Sequence, residues 1–126
     1  MYITVDEKDR RPIYQQIVDE IKGLIATGEL AQGTFLPPVR QVAADLGVNL
    51  NTVAFAYRRL QHDGLVKVRH GAAALVVSRV LTEPIGEQSR SQLTAALTHL
   101  VLSGLKPSEV RNLVDEELRR LYADAE

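Results

Sequence analysis

Apolar residues recur at helical spacing along the first third of the chain. Ile13, Ile17, Ile21, Leu24 and Ile25 share one face of a helix that begins at Pro12, where a missing N–H costs nothing, and stops at Gly28. Residues 29–37, marked by Gly33 and Pro37, break the period and read as a connector. The period resumes over about 38–46, with Val39, Val42, Ala43 and Leu46 inward, and Gly47 ends that short helix. Val48 is expected to be buried in the turn. A third helix follows from Asn49, with Val53, Ala56, Tyr57 and Leu60 inward, and stops near Gly64. Residues 65–69 and 73–77 then read as two short strands, with His70 and Gly71 at the bend between them.

Residues 78–91 are polar and irregular, with Pro84, Gly86 and several serines. Beyond them Leu93, Ala96, Leu97, Leu100 and Val101 fit one helical face, and Val110, Leu113, Val114, Leu118 and Leu121 fit another. Gly104 and Pro107 separate the two, which predicts a helical hairpin. The pattern therefore predicts an α+β chain, mainly α. Residues 1–78 form a winged helix-turn-helix, 79–91 a linker and 92–126 a two-helix region.

A helix-turn-helix needs a small residue in its turn, apolar residues that lock its two helices, and polar residues opening the second one. Gly47, then Val48 with Val53, then Asn49, Asn51 and Thr52 meet those needs. The start of such a recognition helix points at base edges in the major groove. Asparagine can bind adenine through two hydrogen bonds, and threonine can reach a base or a phosphate. Asn49 is open to two readings, as helix N-cap and as base contact. Arg40, in the first turn of the preceding helix, is placed to reach a phosphate or a guanine, the alternative being a surface ion pair with Asp45 or Glu29. Lys67, Arg69 and His70 lead into the wing tip, where Gly71 allows close backbone approach. Arg58, outward near the end of the recognition helix, is a further candidate for phosphate, beside the plainer reading of a solvated face.

Composition changes this picture little; charge distribution changes it more. The 126 residues are 45% hydrophobic and 25% charged, which suits an ordinary globular chain. The net charge of −1 argues at first against nucleic acid. Residues 36–80, however, hold six basic and two acidic side chains, a net of +4, while residues 81–126 hold five basic and eight acidic, a net of −3. A basic face on a near-neutral chain is enough to hold phosphates. The chain has no cysteine, so disulfides and thiolate metal sites are excluded. His62, His70 and His99 are scattered, and no metal, cofactor or membrane partner is expected. The opening residues lack the apolar run of a secretory signal, which predicts a cytoplasmic protein. No P-loop, nucleophile elbow or dinucleotide fingerprint is present, so no enzyme is expected.

The runs PIYQQIVDEIKGLIATGEL and LPPVRQVAADLGVNLNTVAFAYRRLQHDGLV together resemble the N-terminal domain of GntR-family bacterial transcription regulators. The VNLNTV-x-x-AY form, followed by a short two-helix segment, resembles the YtrA-type subfamily. The likeness covers about residues 10–78. It implies a winged helix with a small helical dimerisation region. It also implies a homodimer on a pseudo-palindromic operator, acting as a repressor of its own or a transporter operon. By the same resemblance the arginine of LP-x-x-R, here Arg40, contacts DNA. So do the polar helix start at Asn49, Asn51 and Thr52, and the wing-tip His70 and Gly71. Three positions depart from the family pattern. Pro38 stands where a capping serine is usual, Phe55 where Arg or Lys is usual, and Ala72-Ala73-Ala74 follows Gly71 where Gly-x-Gly is usual.

The leading expectation is therefore a dimeric DNA-binding regulator, with dimerisation through Leu93, Leu97, Leu100, Val101, Val110, Leu113, Val114, Leu118 and Leu121. The alternative for the hairpin is packing onto Ile17, Ile21 and Leu24 of its own chain. The alternative for the whole is a winged helix used for protein–protein contact, DNA binding lost, which net acidity and Phe55 favour. A small-molecule effector is compatible with the chain, and nothing in the sequence names one.

Overall fold

The structure is a computed structural model and describes residues 3–69 and 73–123. Its elements run α1 (Ile13–Thr27), β1 (Phe35–Leu36), α2 (Val39–Leu46), α3 (Leu50–His62), β2 (Val66–Val68), β3 (Ala74–Val76), α4 (Glu87–Leu102) and α5 (Pro107–Leu121). They fall into two compact units, residues 1–82 and 83–126.

In the first unit α1, α2 and α3 enclose a core closed on one side by the sheet. Ile17, Ile21 and Ile25 of α1 meet Val39 and Val42 of α2 and Val53, Ala56, Tyr57 and Leu60 of α3, all buried. Leu36, Val66, Ala74 and Val76 close it from the strands. The apolar stripes of the sequence are thus the faces that pack. Ile3 and Val5 lie against the same core, held by Gln16, the buried polar side chain of this unit among the described residues. Its Oε1 accepts the Asp6 N–H at 2.8 Å, and its Nε2 donates to the Asp6 and Arg11 carbonyls at 3.0 Å each. Every polar atom that it buries is therefore matched. Nearby, Arg11 hydrogen-bonds Asp9 and holds that carboxyl down at about 2.

The sheet corrects the reading of residues 29–37 as a plain connector. Phe35 and Leu36 form an edge strand antiparallel to β3, with Phe35 opposite Leu75 and Leu36 opposite Ala74, giving the order β1-β3-β2. Two residues are too few to show alternation, and β1 exists only because β3 supplies its partners. Lys67 also pairs with Leu75, so Phe35, Leu75 and Lys67 form one row on the outer face.

Segment 79–82 is likewise no free linker. The Thr82 N–H donates to the Asp63 carbonyl at 3.0 Å, and Arg79 reaches back to the end of α1. At the other end of the expected linker, α4 begins at Glu87 rather than near residue 92. Glu87 favours a helix N-terminus electrostatically, and the following residues lack any breaker until Gly104.

The second unit is the α4–α5 hairpin. Gly104 turns the chain at φ 88°, and Pro107 opens α5. The Glu109 carboxylate accepts the Lys106 N–H at 2.9 Å, which satisfies one donor at the start of α5. No residue of α4 or α5 is buried.

Candidate nucleic-acid interface

The α2–α3 turn sets the geometry of the site. Gly47 adopts the left-handed conformation, φ 68° and ψ 33°, which lets the Val48 N–H return to the Ala43 carbonyl at 3.0 Å. The chain then enters α3 at Asn49, whose Oδ1 accepts the Asn51 N–H at 2.7 Å. Of the two roles open to Asn49, N-cap is thus the one its side-chain oxygen fills. Tyr57 fixes α3 against the start of α2, its buried hydroxyl donating to the Pro37 carbonyl at 2.6 Å. Burial pushes that phenol well above its ordinary pKa, so it stays a neutral donor. Pro38 occupies the N-cap position of α2 without a side-chain cap, and the Gln41 and Val42 N–H groups use its carbonyl instead.

With α3 so placed, Asn51, Phe55 and Arg58 are exposed and Thr52 is half-buried. Phe55 is not loose. Its ring meets that of Tyr14 from α1 edge to face, centroids 4.8 Å apart at 79°, and the Arg58 guanidinium carbon lies 5.9 Å from its centroid. Tyr14, Asn51, Thr52 and Phe55 together line an open hollow of about 370 Å³. Tyr14 was not anticipated. The only signal for it is an aromatic ring standing one residue off the isoleucine stripe of α1.

Arg40 is exposed in the first turn of α2 and makes no ion pair among the described residues, so the surface pair with Asp45 or Glu29 does not form. Lys67 and Arg69 are exposed at the base of the wing, and the Arg69 N–H donates to the Ala73 carbonyl at 2.6 Å. His70 and Gly71 lie outside the described residues. Gln61, not anticipated either, ties the wing to α3: its Oε1 accepts the Val68 N–H at 2.7 Å.

The basic surface is smaller than the sequence count suggests. Arg79 spends its guanidinium on the Ile25 and Ala26 carbonyls, and Arg59 stands 3.9 Å from Asp63, which also pairs with Lys22 at 2.9 Å. Arg40, Arg58, Lys67 and Arg69 are left for an outside anion. A polar helix start, a cation on the preceding helix and cations on a hairpin form an arrangement suited to base edges flanked by phosphates.

Residues 13–76 match the family described as bacterial regulatory proteins, gntR family. The chain belongs to the GntR family. Like other members it is a DNA-binding transcription regulator with a winged helix. Its likeness to the YtrA type runs nearly the full length. The HTH-type transcriptional repressor YtrA of Bacillus subtilis is 26% identical over 122 residues, 97% of this chain and 93% of that one. The solved structure of YtrA from Sulfolobus acidocaldarius, a GntR-family transcription factor, is 34% identical. It covers 92% of this chain and 96% of its own at a TM-score of 0.57. A Listeria monocytogenes transcriptional antiterminator is 27% identical, with 96% of this chain and 92% of that one covered and a TM-score of 0.78. None of the described helices is long and apolar enough to cross a membrane.

Proposed function

We propose that this GntR-family regulator acts as a homodimeric repressor of its own or a transporter operon, in the cytoplasm, on a pseudo-palindromic operator. The observation that carries the dimer is the bare apolar surface of the hairpin. Leu93 is 60% exposed, Val101 62% and Leu118 46%, and Leu113 and Val114 are exposed beside them. Leu97, Leu100, Val110 and Leu121 are half-buried. The apolar cluster of the first unit, by contrast, draws only on residues from Ile3 to Val76. Pairing with a second copy of the hairpin would remove this surface from water and give two DNA-reading heads.

In each head Asn51 and Thr52 meet base edges, Arg40 and Arg58 meet phosphate or guanine, and Lys67 and Arg69 bring the wing to the backbone. Asn49 supports Asn51 by capping the helix that carries it. Selection of random duplex DNA on the purified protein tests this reading. Enrichment of an inverted repeat supports it. A single unpaired site argues against the dimer. No enrichment favours a winged helix that contacts protein instead.

A further inference from the structure

Phe55 stands in the middle of the outward face of α3, where a soluble helix gains nothing from a large apolar ring. The core does not need it, because Val53, Ala56, Tyr57 and Leu60 already fill the inner face and are fully or almost fully buried. Phe55 keeps 44% of its surface exposed. The ring is nevertheless held in place, by the Tyr14 edge at 4.8 Å on one side and the Arg58 guanidinium on the other. It follows Asn51 by four residues and Thr52 by three, and helical side chains lean toward the N-terminal turn. Phe55 therefore shares one open hollow with Asn51, Thr52 and Tyr14. The hollow has two aromatic rings and a polar rim supplied by Asn51 and Thr52.

We propose that Phe55, held by Tyr14 and Arg58, is a specificity-determining residue that reads the C5-methyl group of a thymine in each operator half-site. The proposal rests on the DNA-binding role of α3 given above. Among the groups that a base pair presents in the major groove, the thymine methyl is the apolar one. Asn51 and Thr52, one turn earlier on the same face, meet the donors and acceptors of neighbouring base edges. The methyl group then enters the aromatic part of the hollow, where it leaves water without asking for a hydrogen bond. A ring already fixed by two neighbours loses little freedom on binding. Arg58, beside the ring, remains free to meet the adjacent phosphate. A cation at position 55 would instead favour a guanine, so the substitution shifts operator sequence rather than abolishing binding.

The test uses the full-length protein and the duplex recovered by selection, with each thymine replaced in turn by deoxyuridine. Deoxyuridine pairs as thymine does and lacks only the methyl. The expected result is one position per half-site at which affinity falls by about fourfold, near fifteenfold with both half-sites substituted, and indifference elsewhere. In Phe55→Ala that sensitivity disappears, while Phe55→Leu, which keeps an apolar side chain and the fold, retains part of it. A wild-type protein that binds its operator and ignores every deoxyuridine overturns the proposal. So does Phe55→Ala that keeps the full penalty, since another side chain would then be the reader. Absence of any operator binding is a separate result: it removes the DNA-binding reading itself.

Discussion

Arg79 closes the C-terminal end of the first helix: its Nε donates to the Ile25 carbonyl at 3.2 Å and its Nη2 to the Ala26 carbonyl at 2.7 Å. The last carbonyls of a helix have no partner inside it, and they carry the negative end of its dipole. A guanidinium answers both needs at once. It also pins the strand exit to α1, so that residues 77–82 run along the head. Arg79→Ala should lower stability by about 1 kcal/mol, read as a lower urea midpoint with an unchanged m-value. Because this cation is engaged internally, the salt dependence of DNA binding should not change. A flatter salt slope would place Arg79 on phosphate instead.

Arg40→Ala should do the opposite. Its side chain is exposed and free of ion pairs among the described residues, so the urea midpoint should stay put. Operator affinity should fall. The slope of log affinity against log salt should become shallower by about 0.9, the share of a single neutralised phosphate. Unchanged affinity would count against its role. Fluorescence anisotropy over a salt series reads both quantities.

Gly64 sits at φ 86° after α3, and a Cβ there would lie 2.0 Å from the Thr82 Oγ1. Gly64→Ala therefore meets both backbone strain and a clash, and should cost at least about 1 kcal/mol. Thr82→Ala removes the nearest atom and should restore only the steric part. If the double variant melts no higher than Gly64→Ala alone, the clash contributes nothing.

Much of the head was legible in the residues. The isoleucine stripe of α1, the Gly47 turn and the Asn49 start of α3 each depend on neighbours within one or two turns, which sequence spacing displays. What escaped depends on distant partners. The two-residue β1 needs β3, Gln16 needs a loop ten residues away, and Arg79 needs a helix end more than fifty residues back. The candidate site divides the same way. Asn51 and Thr52 follow from their position at a helix start, whereas Tyr14 joins them only because α1 crosses α3. Charge counting also misled in part, since it credited to a DNA face the Arg79 and Arg59 that the fold uses itself.

The hairpin prediction is the most drastic. Leu97→Asp combined with Leu118→Asp puts two carboxylates on the apolar surface of α4 and α5, and neither position is buried within its own chain. The variant should fold and sediment as a monomer, with operator affinity reduced at least tenfold by loss of the second head. A dimer of unaltered mass would remove the hairpin from the interface.

The central claim, a dimer that reads DNA through paired winged helices, is tested most directly by titrating the selected inverted repeat with the wild-type protein at stepped salt and counting chains per duplex. Two chains per duplex, with affinity falling steeply as salt rises, is the predicted result. One chain per duplex, or binding indifferent to salt, would contradict it.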